Sequence, residues 1–334
     1  MNILITAPQG NIFDTYFPAP VLEQLSAMGK VTINPNERQF TIEELKQLLH
    51  DTDIVLTHWG TPQLTAELLD CAPKLKLLAH CTGTVAHIAS EAFYERNIPV
   101  LSANSIMSEY VAEAVVGYMI AAGHKFLQMD RLTRRNEWDR KRTATSQKSL
   151  LGSHVGVIGL GTIARRLLDM LAPFNCKVHV YDPYADSDAL ERWPFAKLCS
   201  FEETMSQPFV SIHASQTPET YHMIDSEALK MMPDNGMLIN SARGSLVDTD
   251  ALIKELQTGR IYAVLDVYEK EGKGKLPAEL LKLTDQTLLQ PHYACGPVTW
   301  EMTQGIVEDI RRFLKGDPLL LQVPLQQYRL MTQE

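Results

Sequence analysis

Over the first hundred residues, short aliphatic runs alternate with stretches in which apolar positions recur every three or four residues. The short runs predict strands over 2–6, 31–33, 54–57, 75–79 and 99–101. The longer stretches predict helices over 20–28, 41–49, 65–71 and 91–96. Thr41, with Glu44 three residues on, spells a capping box at the start of one of them. A helical apolar pattern over 108–129 follows, and then a basic stretch from Arg131 to Lys148. From His154 the alternation restarts. Strands are expected at 154–158, 177–181, 209–214, 237–240, 262–266 and 287–290, and helices at 162–172, 225–232 and 248–256. Strand–helix alternation of this kind builds parallel sheets covered by helices on both faces. The expected class is α/β, and 334 residues suit two such domains.

Composition narrows the function. The chain is 45% hydrophobic and 21% charged, ordinary for a packed globular protein. Its net charge of −9 argues against a nucleic-acid partner, because phosphate neutralisation needs clustered Lys and Arg. The basic stretch has almost no interleaved aromatics and reads as a solvated connector or a subunit-packing arm. The most apolar run, 111–122, contains Glu113 and is far shorter than the roughly 20 residues of a membrane span. It reads as a buried helix, and no membrane partner is expected. The first residues lack the basic start and apolar length of a signal peptide. Cys71, Cys81, Cys176, Cys199 and Cys295 are odd in number and form no C-x-x-C pair. That pattern suits a reduced, cytoplasmic protein with neither a disulfide framework nor a zinc site, so no metal is expected.

The chemistry begins at Val155-Gly156-Val157-Ile158-Gly159-Leu160-Gly161-Thr162-Ile163-Ala164, which reads G-x-G-x-x-A from Gly159. Gly159 makes a tight turn off the strand, and Gly161 lets a pyrophosphate approach the backbone. Ala164 permits close helix–strand packing. The following helix N-terminus offers unpaired N–H groups to phosphates. Asp182 ends the next strand, 23 residues beyond Gly159, where a carboxylate accepts hydrogen bonds from ribose hydroxyls. It would repel a 2′-phosphate, and Pro183, Tyr184 and Ala185 supply no cation to bind one. NAD, rather than NADP, is the cofactor this Rossmann-like pattern implies.

Three later segments place polar groups just past strand ends, where doubly wound sheets bind ligands. Arg243 follows the strand at 237–240, Asp266 and Glu271 follow the strand at 262–266, and His292 follows the last one. Arg binds a carboxylate bidentately and His moves a hydroxyl proton. Beside a nicotinamide, these are the parts needed to oxidise a 2-hydroxy acid. Read from the residues alone, Arg243 is also compatible with a structural role and Asp266 with a turn. Trp59 reads as either interdomain packing or a pocket wall. His213 reads as a packing or loop residue.

The chain resembles the D-isomer-specific 2-hydroxyacid dehydrogenase family over nearly its whole length, most strongly from Leu150 to Pro297. The segment from Thr217-Pro218-Glu219-Thr220 through Ile239-Asn240-Ser241-Ala242-Arg243-Gly244 to Val247-Asp248 is similar to the family's longest signature. Leu265-Asp266-Val267 with Glu271, and Pro291-His292, are similar too. The resemblance implies that Arg243 holds the substrate carboxylate and 2-oxygen, that His292 is the general acid/base and that Glu271 orients it. It implies nicotinamide contacts from Asp266, Ser241 and Ala242, pyrophosphate contacts from Thr162 and Ile163, and ribose contacts from Asp182. It also implies two Rossmann-like domains with a cleft between them, a substrate domain of 1–103 completed by 296–334, and an NAD-binding domain of 104–295. The implied activity is NAD-dependent interconversion of a D-2-hydroxy acid and its 2-keto acid by a homodimer paired through the NAD-binding domain. A formate- or phosphite-type dehydrogenase and an NAD(H)-sensing, corepressor-like binding protein are alternatives on the same fold. The chain departs from the family at Ala164, at Ser215 where His-x-Pro is usual, and at Gly272 where Pro is usual.

Overall fold

The structure is a computed structural model that describes residues 1–137, 147–271, 274–296 and 298–331. The chain divides into two compact units, Met1–Met107 with Gly296–Glu334, and Ser108–Cys295.

The first unit is built on β1 (Asn2–Ile5), β2 (Lys30–Ile33), β3 (Ile54–Thr57), β4 (Leu77–His80) and β5 (Val100–Ser102). They form one parallel sheet in the order β2-β1-β3-β4-β5. Every residue of β3 and β4 is buried, as continuous aliphatic runs require when helices cover both faces. Leu4, Val55 and Leu78 pack with Leu45, Leu49, Leu68 and Phe93 from the flanking helices. The capping box forms: Thr41 Oγ1 accepts from Glu44 N–H, and Glu44 accepts from Thr41 N–H. The chain's end completes this unit. Helix Trp300–Lys315 buries Met302, Ile306, Val307 and Ile310. The 2%-exposed Asp309 carboxylate on this helix accepts the N–H groups of Leu320 and Leu321, which turns the chain back. Val323 N–H then donates to the Val100 carbonyl at the sheet's edge.

The second unit holds β6 (His154–Ile158), β7 (Lys177–Tyr181), β8 (Ala196–Leu198), β9 (Phe209–Ile212), β10 (Met237–Asn240), β11 (Tyr262–Leu265) and β12 (Thr287–Leu289). All are parallel, in the order β12-β11-β10-β9-β6-β7-β8. Order reverses between β6 and β9, which puts a ligand crevice outside their carboxyl ends. The two sheet faces have separate cores. Val155, Val157, Val178 and Val180 pack with Leu167 and Leu168 of helix Thr162–Leu171. Ile158, Val210, Ile212, Leu238 and Ala263 pack with Leu229, Leu252 and Leu256 on the other face.

Two differences from the sequence expectation have clear causes. The apolar pattern over 108–129 is two helices, Asn104–Gly123 and Phe126–Arg134. Between them Lys125 is left-handed, at φ 54°, and the connector docks by donating Lys148 N–H to the Gly123 carbonyl. The pattern hides this break because Phe126 and Leu127 continue it, yet both are exposed. Strand β8 was not expected. It is three residues long at the sheet edge and carries no continuous apolar run. The run 111–122 lies within the first of the two helices and buries Val111, Ala112, Val115, Met119 and Ala122. Among the described residues, no helix is long and apolar enough to cross a membrane. Residues 138–146 of the basic stretch lie outside the described residues.

Candidate active site

The glycine turn sits at the end of β6, beside the reversal of strand order. Gly159 has φ 89°, and a Cβ there would lie 2.7 Å from the Ala214 backbone after β9. Only glycine satisfies both constraints. At Gly161 a Cβ would meet only the His213 carbonyl oxygen, at 4.0 Å, so the backbone face is open. Helix Thr162–Leu171 starts there, and its N-cap, Gly161, supplies no side-chain cap. Asp182, past β7, is turned toward this loop: Oδ2 accepts Leu160 N–H at 2.7 Å and Oδ1 accepts Tyr184 N–H at 2.8 Å.

The residues expected to carry acid–base and carboxylate-binding roles lie at the carboxyl ends of the next strands of the same sheet. The Arg243 loop after β10 is shaped by Asn240, itself 1% exposed. Asn240 Nδ2 donates to the Arg243 carbonyl at 2.9 Å, and its Oδ1 accepts Ala242 N–H at 3.1 Å. Arg243 is half-buried and donates from Nη1 to the Ala242 carbonyl at 2.8 Å. Ser241 Oγ is buried with no hydrogen-bond partner among the described residues. A Cβ at Gly244 would lie 1.9 Å from the Tyr268 backbone, so glycine there lets this loop touch the chain that leads to Glu271.

Asp266 holds the last loop. Its carboxylate is 1% exposed and accepts Tyr293 N–H at 2.8 Å and Ala294 N–H at 3.0 Å. Its carbonyl accepts His292 N–H at 2.7 Å. His292 is thereby fixed at φ 54°, a left-handed conformation that persists because three hydrogen bonds over-determine it. Its Nδ1 lies 2.6 Å from Glu271 Oε1, with both side chains partly exposed. Burial, and then the neighbouring Asp266 carboxylate, push the Tyr118 phenol above its ordinary range. Gly272 lies outside the described residues.

Neighbouring candidates are otherwise engaged. Glu269 accepts hydrogen bonds from His222 Nε2 at 3.0 Å, Tyr221 Oη at 3.2 Å and Thr249 Oγ1 at 3.0 Å, and so ties the loops together. His213 meets Ser211 Oγ at 2.9 Å, and burial pushes it down to about 4, so at neutral pH it is an uncharged packing group. Ser215, at the family's proline position, offers its carbonyl to Thr220 Oγ1 at 2.8 Å. In the first unit, Trp59 follows β3 and stands edge-on to His58 and Tyr16, 42% exposed. Burial pushes His58 down to about 4 and the Cys81 thiol up to about 12, so neither is charged at neutral pH. The sequence reading missed Asn240 and Tyr118, and it missed the loop-holding carboxylate of Asp266. An Asn at a strand end and an Asp with free N–H groups downstream are the only signals it offered.

Residues 116–294 match the family profile described as D-isomer specific 2-hydroxyacid dehydrogenase, NAD binding domain. The chain belongs to the D-isomer-specific 2-hydroxyacid dehydrogenase family. It is 31% identical over 307 residues to a glyoxylate reductase of Thermofilum pendens, which covers 90% of each chain. It is 33% identical over 297 residues to a D-3-phosphoglycerate dehydrogenase of Methanocaldococcus jannaschii, covering 88% of this chain and 55% of that longer protein. A D-lactate dehydrogenase of Aquifex aeolicus, solved with NAD and lactic acid, superposes with a TM-score of 0.69 at 25% identity, over 95% of this chain and 96% of that one. The protein is therefore an NAD-dependent 2-hydroxyacid dehydrogenase of α/β, Rossmann-like fold. The second unit fits the cofactor. Gly161 leaves an open backbone cradle, the helix after it is uncapped, and the buried Ser241 hydroxyl lacks a partner that a ligand would supply.

Proposed function

We propose that the dehydrogenase interconverts a short 2-keto acid and its D-2-hydroxy acid by hydride transfer at C2, with Arg243, Glu271 and His292 as its working residues. The observation that carries this reading is the 2.6 Å Glu271–His292 pair on a loop clamped by Asp266. Residues 1–103 and 296–334 would supply the rest of the substrate site, and 104–295 the cofactor site. Bound NAD supplies or accepts the hydride. Arg243 binds the carboxylate and the 2-oxygen and so orients C2. Glu271 accepts the His292 Nδ1–H, which fixes the tautomer and leaves Nε2 as the nitrogen that exchanges a proton with the 2-oxygen. In reduction Nε2–H protonates the new hydroxyl, and in oxidation the neutral Nε2 takes that proton back. Asp266, Ser241 and Ala242 would contact the nicotinamide, and Thr162 and Ile163 the pyrophosphate.

Relatives named glyoxylate reductase and hydroxypyruvate reductase point to two- and three-carbon keto acids. The test is NADH oxidation with glyoxylate, hydroxypyruvate, pyruvate and bulkier 2-keto acids, with NAD reduction by formate or phosphite as the contrast. Turnover of at least one keto acid supports the reading. Turnover of formate or phosphite alone, or tight NADH binding with no turnover, overturns it in favour of a simpler-anion dehydrogenase or a sensor. The reading includes a homodimer paired through the NAD-binding unit, supported by exposed Phe126 and Leu127, and a reducing cytoplasm, supported by five free cysteines.

Asp182 sets the cofactor preference. Oδ2 is held on the glycine turn by Leu160 N–H and Oδ1 is held by Tyr184 N–H, so a 2′-phosphate on the ribose would meet a fixed negative charge. Asp182→Ala is expected to raise the KM for NADH and narrow the preference over NADPH. Because Leu160 N–H also loses its acceptor, a small loss of thermal stability accompanies it. Equal wild-type efficiency with NADH and NADPH would remove Asp182 from this role.

A further inference from the structure

The face of the second sheet away from helix Thr162–Leu171 carries a cluster that the dehydrogenase reaction does not use. His179 alternates along β7 with Val178 and Val180, which belong to the core under that helix, so its ring emerges on the other face. There, helix Phe201–Met205 covers Gly156, the residue paired with His179 on β6. Three ligand-type atoms meet beneath it. His179 Nδ1 lies 3.2 Å from Glu203 Oε1 and 3.6 Å from Cys199 Sγ, and all three atoms lie within 4.8 Å of one another.

These spacings are informative. A tetrahedral zinc ion binds imidazole nitrogen and carboxylate oxygen at about 2.1 Å and thiolate sulfur at about 2.3 Å. That sets an N···O edge of about 3.4 Å and an N···S edge of about 3.6 Å. Two edges of the cluster therefore already match such a tetrahedron, and the third, from sulfur to carboxylate oxygen, is within 4.8 Å. Cys199 Sγ also meets the Lys197 carbonyl at 3.6 Å and Glu203 Oε1 meets Lys197 Nζ, contacts that a cation bound to all three groups would replace. The ring is also pre-oriented: His179 is 7% exposed, and its Nε2 lies 3.0 Å from His154 Nδ1, which can accept the N–H that a ligating ring carries on its other nitrogen. Cys199 and Glu203 reach solvent, so an ion has a way in.

We propose that His179, Cys199 and Glu203 bind one divalent cation of the zinc class, with a water as fourth ligand. On binding, the Cys199 thiol proton passes to solvent and the thiolate bonds the metal. His179 binds through unprotonated Nδ1 and donates Nε2–H to His154. Glu203 exchanges an ion pair for a metal bond, because Lys197 Nζ stands 2.6 Å from its Oε1. That exposed ammonium is the built-in competitor of the site. The cation would tie the end of β8 to β7 and to helix Phe201–Met205.

The test uses the whole protein, freed of metal with a chelator and then titrated with Zn2+ alone against a chromophoric competitor. The expected result is one tight Zn2+ per chain and a higher Tm in its presence. Cys199→Ser and His179→Ala should each lose most of that affinity, and His154→Ala about 10-fold. Lys197→Gln should bind several-fold more tightly, which a merely adventitious surface ion would not. Co2+ loading should give a thiolate-to-metal charge-transfer band that Cys199→Ser lacks. Unchanged circular dichroism and NADH binding establish that each variant is folded. Zn2+ uptake by the wild type equal to that of Cys199→Ser, or a cobalt spectrum without the thiolate band, overturns the proposal.

Discussion

Arg243→Ala is expected to lower kcat/KM for keto-acid reduction by about 2–5 kcal/mol, because a charge-assisted pair with the substrate is lost in a partly desolvated site. NADH affinity should be nearly unchanged. The loop should largely keep its shape, because Asn240 bonds the Arg243 carbonyl and Ala242 N–H, both main-chain groups, although the guanidinium's bond to the Ala242 carbonyl is lost. Arg243→Lys should recover little, because an ammonium cannot make two parallel hydrogen bonds to a planar carboxylate. Asn240→Ala should reproduce part of the defect by a different route, loosening the loop so that KM and thermal stability change together. Steady-state kinetics with the best keto acid decide the matter. Near-normal reduction by Arg243→Ala would leave the arginine a structural role only.

The features that could be read from the sequence depend on neighbours within one strand–turn–helix unit. The glycine turn, Asp182 at the next strand end and the Thr41 capping box are of this kind, and each is set by residues a few positions apart. Strands at 54–57 and 237–240 stand out because buried parallel strands read as near-continuous apolar runs. Features made by distant segments were not legible. The end of helix Asn104–Gly123 is set by Lys148 returning to it, while the local apolar pattern runs on. Asp266 at a strand end looks like a turn residue until the N–H groups of Tyr293 and Ala294 arrive from the next strand. Cysteine spacing gave no hint of the His179–Cys199–Glu203 cluster, because these residues meet only through the β7–β8 pairing and the short helix after it. Glu269 and Glu271 are two residues apart and chemically identical. The resemblance singled out Glu271 for His292, and the fold adds that Glu269 is held by His222, Tyr221 and Thr249 while Glu271 meets His292.

That last assignment gives the other large effect. His292→Ala should lower the rate in both directions by roughly two to four powers of ten, the usual scale for losing a general acid/base. Reduction needs the ring protonated and oxidation needs it neutral, so the wild-type rates in the two directions should depend on pH in opposite senses. His292→Ala should flatten both profiles. Glu271→Gln is expected to cost less than His292→Ala. The amide oxygen can still accept Nδ1–H, but the charge-assisted hydrogen bond that fixes the tautomer and orients the ring is weakened. The two residues act as a unit, so the double variant should be no slower than His292→Ala alone. Glu269→Gln provides the contrast. Its carboxylate ties three loop residues together and does not touch His292, so it should lower Tm while leaving both pH profiles in place. Additive losses in the double variant, or a rate loss in Glu269→Gln as large as that in Glu271→Gln, would break the assignment of Glu271 as the partner of His292.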